Sequence, residues 1–323
     1  MHRQVYMNGI FVDERDAKVS IYDSALMFGD MVFEMTRSFN KEQFKLREHI
    51  DRLYTGTKIL EIDMPITPSE LEEVCYKVIA VNEPLFADND EHRLVIDVSR
   101  GLLGIYQDIP DMHVGTNIIV ADFPLRRTVG SMGKLFDLGI NLVIPSQRSI
   151  PATLLDPKIK NRSRLFYLMA NIEVSKFKGE NNWALLLDPD GFITEGSGDN
   201  FFMIKGNKLI TPEGRNILRG ISRQYVIDEL AHSVGLEIIE KNIEPFDVYA
   251  ADEAFVTGTP FCMLPVNSLN GKRIGHNVPG PYFSKLIQKW GDNVNLDIIS
   301  QIKSWQSQAK VSAPTPYEFK PSK

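Results

Sequence analysis

Apolar and polar positions alternate from the start of the chain, where Val5-Tyr6-Met7 and Ile10-Phe11-Val12 flank Asn8-Gly9. That pair is a strong two-residue turn signal, so the stretch reads as a β-hairpin. The period then changes: Leu71, Val74, Cys75, Val78 and Ile79 recur at helical spacing. Thr67 stands three residues before Glu70, and Pro68 suits the first helical position, so a helix is expected over 67–80. Residues 93–98 (RLVIDV), 117–121 and 141–144 read as strands. A second helix is expected over 163–177, with Leu165, Leu168, Met169 and Ile172 on one face. A β run follows: 183–187, a turn at Asp188-Pro189-Asp190-Gly191, 192–194, 201–204, a turn at Gly206-Asn207, and 208–210. Residues 222–234 read as a helix with Tyr225, Val226, Leu230 and Val234 as its stripe.

Strands and helices interleave in both halves, which points to two α/β-type domains, mixed α+β in their sheets. The 323-residue length agrees with two. The expected division is a small domain at 1–123, a linker at 124–134 in the basic, glycine-bearing stretch PLRRTVGSMGKLFDLG, a large domain at 135–306, and a loose Ser/Pro/Lys-rich tail at 307–323. A net charge of −6 argues against a broad nucleic-acid surface. Two cysteines make no disulfide scaffold, and no run approaches membrane-span length. A cytoplasmic protein with neither a nucleic-acid nor a membrane partner is the expectation.

The scattered histidines have no zinc-ligand spacing, so no metal is expected. Asp188-Pro189-Asp190-Gly191 lacks the later acidic ligands of a calcium loop. Gly196-Ser197-Gly198 lacks the third glycine of a dinucleotide fingerprint, and neither a Walker lysine nor a Gly-x-Ser-x-Gly elbow occurs.

Six segments do carry chemistry. They are Asp23–Glu34 (DSALMFGDMVFE) with Arg37, Arg47–Leu53 (REHIDRL), Lys158–Arg164 (KIKNRSR), Thr194–Asn200 (TEGSGDN), Leu218–Arg223 (LRGISR) and Thr257–Phe261 (TGTPF) with Pro265-Val266. In order and spacing they resemble the class IV aminotransferases, nearest to the branched-chain type. The resemblance runs from about Tyr6 to about Gly271. It implies a two-domain fold of type IV, like that of D-amino acid aminotransferase, and pyridoxal 5′-phosphate (PLP) as cofactor. It also implies a homodimer and a site between the two domains.

Such an enzyme needs one lysine for a Schiff base. Lys158 and Lys160 would share a face if their stretch is a strand. The family's interval to the later Ala170, Glu173 and Glu195 selects Lys160. By the same resemblance Glu195 pairs with the pyridine nitrogen. Arg52, Thr259 and the backbone amides at Ile221 and Ser222 hold the phosphate, as a guanidinium fork and a helix start are suited to do. Ser222 could equally cap its helix. The substrate side comprises Arg37, Arg93 and Arg100, together with two departures from the family pattern. Phe28 stands where a tyrosine helps hold the substrate carboxylate, and Pro260 has no N–H to donate there. The family's tyrosine four or five residues after the lysine is replaced by Arg164 and Leu165, leaving Arg162, Arg164 or Tyr167 for the cofactor's phenolic oxygen.

The implied activity is ping-pong transamination from an amino acid, a branched-chain L-amino acid in the first instance, to a 2-oxo acid. The departures at Phe28 and Pro260 suggest a D-amino acid donor or an R-selective amine transaminase as the alternative; a lyase of the aminodeoxychorismate type and a non-enzymatic PLP-binding protein also stay open.

Overall fold

The hairpin signal at Asn8-Gly9 becomes β1 (Gln4–Met7) and β2 (Ile10–Asp13), with both turn residues at positive φ. This is a computed structural model, and it describes residues 2–306. By its internal contacts the chain forms two units. The first is Met1–Leu125 with Ile159–Arg164; the second is Arg126–Lys158 with Leu165 onward. The expected tail at 307–323 lies outside the described residues.

In the first unit the chain continues through α1 (Ser24–Phe28), β3 (Met31–Met35), a small hairpin of β4 (Ser38–Phe39) and β5 (Glu42–Gln43), α2 (Leu46–Ile59) and α3 (Pro68–Asn82). It ends with β6 (His92–Ser99) and β7 (Asn117–Pro124). The sheet order is β2-β1-β7-β6-β3, antiparallel throughout. The Thr67–Glu70 capping box and Pro68 start α3 as the spacing predicts. On β6 alternate residues Leu94, Ile96 and Val98 are buried beneath α2 and α3 with Val32, Ile50, Leu53, Leu71 and Val78. The other face of that strand carries Arg93, Val95 and Asp97, because successive side chains point to opposite sides.

The second unit begins with α4 (Arg126–Val129), which lies in the stretch expected to be a linker. Then come α5 (Leu135–Leu138), β8 (Ile140–Val143), α6 (Leu165–Val174), β9 (Asn182–Leu187), β10 (Ile193–Gly196), β11 (Asn200–Lys205) and β12 (Lys208–Thr211). After them follow α7 (Ile221–Tyr225), β13 (Glu237–Glu240), α8 (Pro245–Tyr249), β14 (Glu253–Gly258), β15 (Cys262–Leu269), β16 (Lys272–Arg273), α9 (Pro281–Asn293) and α10 (Ile298–Ser304). The helix expected over 222–234 is α7 run into a π-helical turn at Val226–Leu230, with a separate short turn at His232–Val234.

The sheet runs β10-β9-β8-β15-β14-β11-β12-β13, with β16 paired to β15. β10 also pairs β11, joining Glu195 to Asn200, so six strands close on themselves. Closure brings buried residues of three strands level with one another: Glu195 opposite Asn200, and Asn200 opposite Thr257.

Candidate active site

Each unit carries a distinct group of the expected side chains. In the first, β3 alternates so that Val32 and Glu34 point toward α2 while Phe33 takes the opposite face. Glu34 is 0% exposed. Its Oε2 accepts from His49 Nδ1 at 2.7 Å, and its two oxygens take Nε and Nη2 of Arg52 at 2.6 and 2.7 Å. His49 and Arg52 reach it together because they lie three apart on α2. Burial opposes ionisation of Glu34, but the Arg52 charge, His49 and their hydrogen bonds hold its carboxyl well below the usual range. Burial also lowers His49, and this outweighs the attraction of Glu34, with Arg52 and Lys160 acting in the same direction as burial. Arg52 thus has one edge of its guanidinium oriented by a fully buried acid. The sequence reading gave Glu34 no role, although its place in FE-x-x-R before R-E-H-x-x-R was visible.

Residues 159–164 join this unit along β3, through Phe33 N–H to Lys160 O at 2.9 Å and a bridge between Val32 and Asn161. The stretch is turn and bend rather than strand, so the alternation that would put Lys158 and Lys160 on one face does not hold. Lys158 belongs to the second unit, bound to Asp156 at 2.8 Å and to Arg215 O at 3.1 Å. Lys160 Nζ instead lies 5.0 Å from the centre of the Phe33 ring. Arg93 is half-buried on the same sheet face, over Phe123.

Three residues expected on the substrate side have these surroundings in this unit. Arg37 is 1% exposed, stacks on Phe39 at 3.9 Å and donates to Ser38 O. Arg100 is tied to Asp30 at 2.6 Å and to the carbonyls of Leu60 and Glu61, a brace between loops. Phe28 is 67% exposed at the end of α1.

In the second unit Glu195 is buried at the strand seam. It accepts from Tyr167 Oη at 2.6 Å, Asn200 Nδ2 at 2.8 Å and Leu218 N–H at 3.0 Å. Three donors satisfy and orient the carboxylate. Tyr167 is therefore engaged with Glu195. Asn200 also donates to Leu218 O, which fixes the loop leading into α7. Gly220 is the N-cap of α7, and a Cβ there would meet Asn200 Oδ1 at 2.1 Å. With glycine in that position Ser222 is the second helical residue, so it does not cap. Thr259 and Pro260 occupy the half-buried turn between β14 and β15. Beside it, Thr257 Oγ1 is buried with no hydrogen-bond partner among the described residues, another residue of the motif whose importance the spacing did not reveal.

The first unit carries an oriented guanidinium and a lysine amine, and the second a buried carboxylate and an orphaned hydroxyl; each is of a kind that suits a phosphorylated pyridine cofactor. No group of three or more His, Cys, Asp or Glu fit to hold a metal occurs among the described residues, and none of their helices is long and apolar enough to cross a membrane.

The closed mixed sheet and these side chains define a class of protein. The chain belongs to the amino-transferase class IV family, whose pattern matches residues 31–269, and it is a PLP-dependent transaminase. Its relatives are more particular. A Methanocaldococcus jannaschii protein, provisionally named a branched-chain-amino-acid aminotransferase, is 37% identical over 291 residues, 90% of this chain and 96% of its own. The Escherichia coli branched-chain amino acid aminotransferase structure superposes with a TM-score of 0.79 at 28% identity, covering 89% of this chain and 93% of its own. The branched-chain aminotransferase of the thermophilic archaeon Thermoproteus uzoniensis, solved with norvaline, gives 0.76 at 27% identity, covering 94% and 97%. The fold is accordingly that of the type IV branched-chain aminotransferases.

Proposed function

We propose that this enzyme is a branched-chain amino acid aminotransferase using PLP bound through Lys160. The observation that carries the cofactor half of this reading is the buried Glu195 carboxylate, held by three donors at the strand seam. The donor class rests on the likeness to the M. jannaschii and E. coli proteins. When bound, PLP supplies an aldehyde for the lysine amine and a ring that accepts the electron pair left at the substrate Cα.

The chain's residues then divide the work. Lys160 Nζ would hold the cofactor and, when free, would serve as the base and acid that moves the substrate Cα proton. Glu195 keeps the pyridine nitrogen protonated. Arg52, with one edge fixed by Glu34, takes phosphate together with Thr259 and the N–H groups of Ile221 and Ser222. Arg93 is the half-buried cation offered to a substrate carboxylate. The reaction alternates between donor and 2-oxo acid acceptor. The enzyme works as a homodimer, which the exposed apolar residues Ile21, Leu26, Met27 and Phe28 favour.

The test is the absorbance of PLP-loaded protein before and after L-leucine, with no 2-oxo acid present. Loss of the lysine-bound band in wild type, and no such band in Lys160→Ala, is expected. A band unmoved by L-leucine but lost with D-alanine or a chiral primary amine would replace the donor class. An unaltered band in Lys160→Ala would remove the assignment of the lysine.

A further inference from the structure

Resting on the transaminase reading with Lys160 as the reactive amine, we propose that Arg162 determines acceptor specificity by binding the distal carboxylate of a dicarboxylic 2-oxo acid. Its guanidinium lies flat on Phe33, 3.6 Å from Cζ to the ring centre. Asp97, directly across the strand pair from Phe33, takes its Nε and Nη2 through one oxygen, at 3.3 and 2.9 Å. Face and one edge are thereby fixed, while Nη1 has no hydrogen-bond partner among the described residues. The side chain is 41% exposed, so that remaining edge is open to a ligand. A planar fork held in this way is pre-organised for a carboxylate and loses little freedom on binding one.

Three further facts favour this ligand. Lys160 Nζ sits over the same Phe33 ring at 5.0 Å, so the amine and the guanidinium serve one neighbourhood. Arg93, on the same face of β6, is lowered from the usual arginine range first by burial and then by the charge of Arg162. Two guanidiniums that oppose one another gain when an anion arrives. Asp97 is the acid paired with Arg162 among the described residues. A monocarboxylic substrate brings one negative group where a dicarboxylic one brings two. A side-chain carboxylate would use the open guanidinium edge, and a branched apolar side chain would not.

The experiment compares two exchanges in wild type, Arg162→Gln, Arg162→Lys and Asp97→Asn, each PLP-loaded. One is L-leucine with 2-oxoglutarate; the other is L-valine with 4-methyl-2-oxopentanoate, in which no partner has a second carboxylate. Arg162→Gln should lower kcat/KM for 2-oxoglutarate about 10- to 100-fold, the range of a charge-assisted hydrogen bond, chiefly through KM. The valine exchange should stay within about twofold. Arg162→Lys should recover part of the loss, and Asp97→Asn should lower KM for 2-oxoglutarate by removing a competing anion. Equal losses in both exchanges, or no change in either, would overturn the assignment. So would a shifted pH titration of the cofactor band in Arg162→Gln with acceptor preference intact, since that places the guanidinium on the cofactor's phenolic oxygen. If wild type catalyses neither exchange, the branched-chain donor reading fails, and this inference with it.

Discussion

Glu34 shows how one side chain ties stability to cofactor binding. Its depressed carboxyl binds a proton more readily when unfolded than when folded, so its contribution is present above the ordinary glutamate value near 4.3 and is lost as pH falls below it. His49 acts in the same direction at higher pH: it is lowered in the fold, so unfolding is favoured as pH drops through about 6.5. Glu34→Gln keeps the shape but leaves Arg52 without its buried counter-ion, at a cost of about 3 kcal/mol near pH 7. Urea midpoints across pH should show that gap shrinking below about pH 4, where the glutamate binds a proton in the unfolded chain that it does not bind in the folded one. A gap independent of pH would mean that Arg52 is not held by charge. None of this pairing was legible beforehand. The sequence shows a glutamate, a histidine and an arginine, and only the register of β3 against α2 makes them neighbours.

At the scale of elements, caps and turns were legible and irregular stretches were not. The Thr67–Glu70 box and the Asn8-Gly9 turn are set by residues that interact with their own backbone. The lysine segment could not be read in the same way, because its conformation is set by docking along β3 and not by its own alternation. The segment from Leu218 to Ser222 depends on a contact of the same kind. Gly220→Ala would drive a Cβ into Asn200 Oδ1, and Asn200 is one of the three donors that hold Glu195. The variant should fold yet bind PLP about tenfold or more weakly, since one charge-assisted hydrogen bond is disturbed. Fluorescence titration of the apoprotein with PLP checks this; wild-type affinity would show that Asn200 can move without cost.

On the scale of the whole molecule, the exposed apolar residues of α1 bear on assembly. Leu26 is 68% exposed and adjoins Met27 and Phe28, a surface expected to be covered in a homodimer. Sedimentation should give a dimer for wild type and a monomer for Leu26→Glu; an unchanged mass would place the interface elsewhere. The order of motifs, their spacing and the periods of strand and helix are local or pairwise properties of the chain. They were enough to give the fold class and, by resemblance, the family, and to nominate the lysine, glutamate and arginine proposed to carry the chemistry. Only tertiary structure decided that Arg37 is interior, that Arg100 is a brace, that Lys158 is engaged by Asp156, and that Glu34 commands Arg52. Burial and pairing depend on strand register and sheet closure, which bring together residues far apart in the chain, and no local pattern in the sequence records which of them will meet.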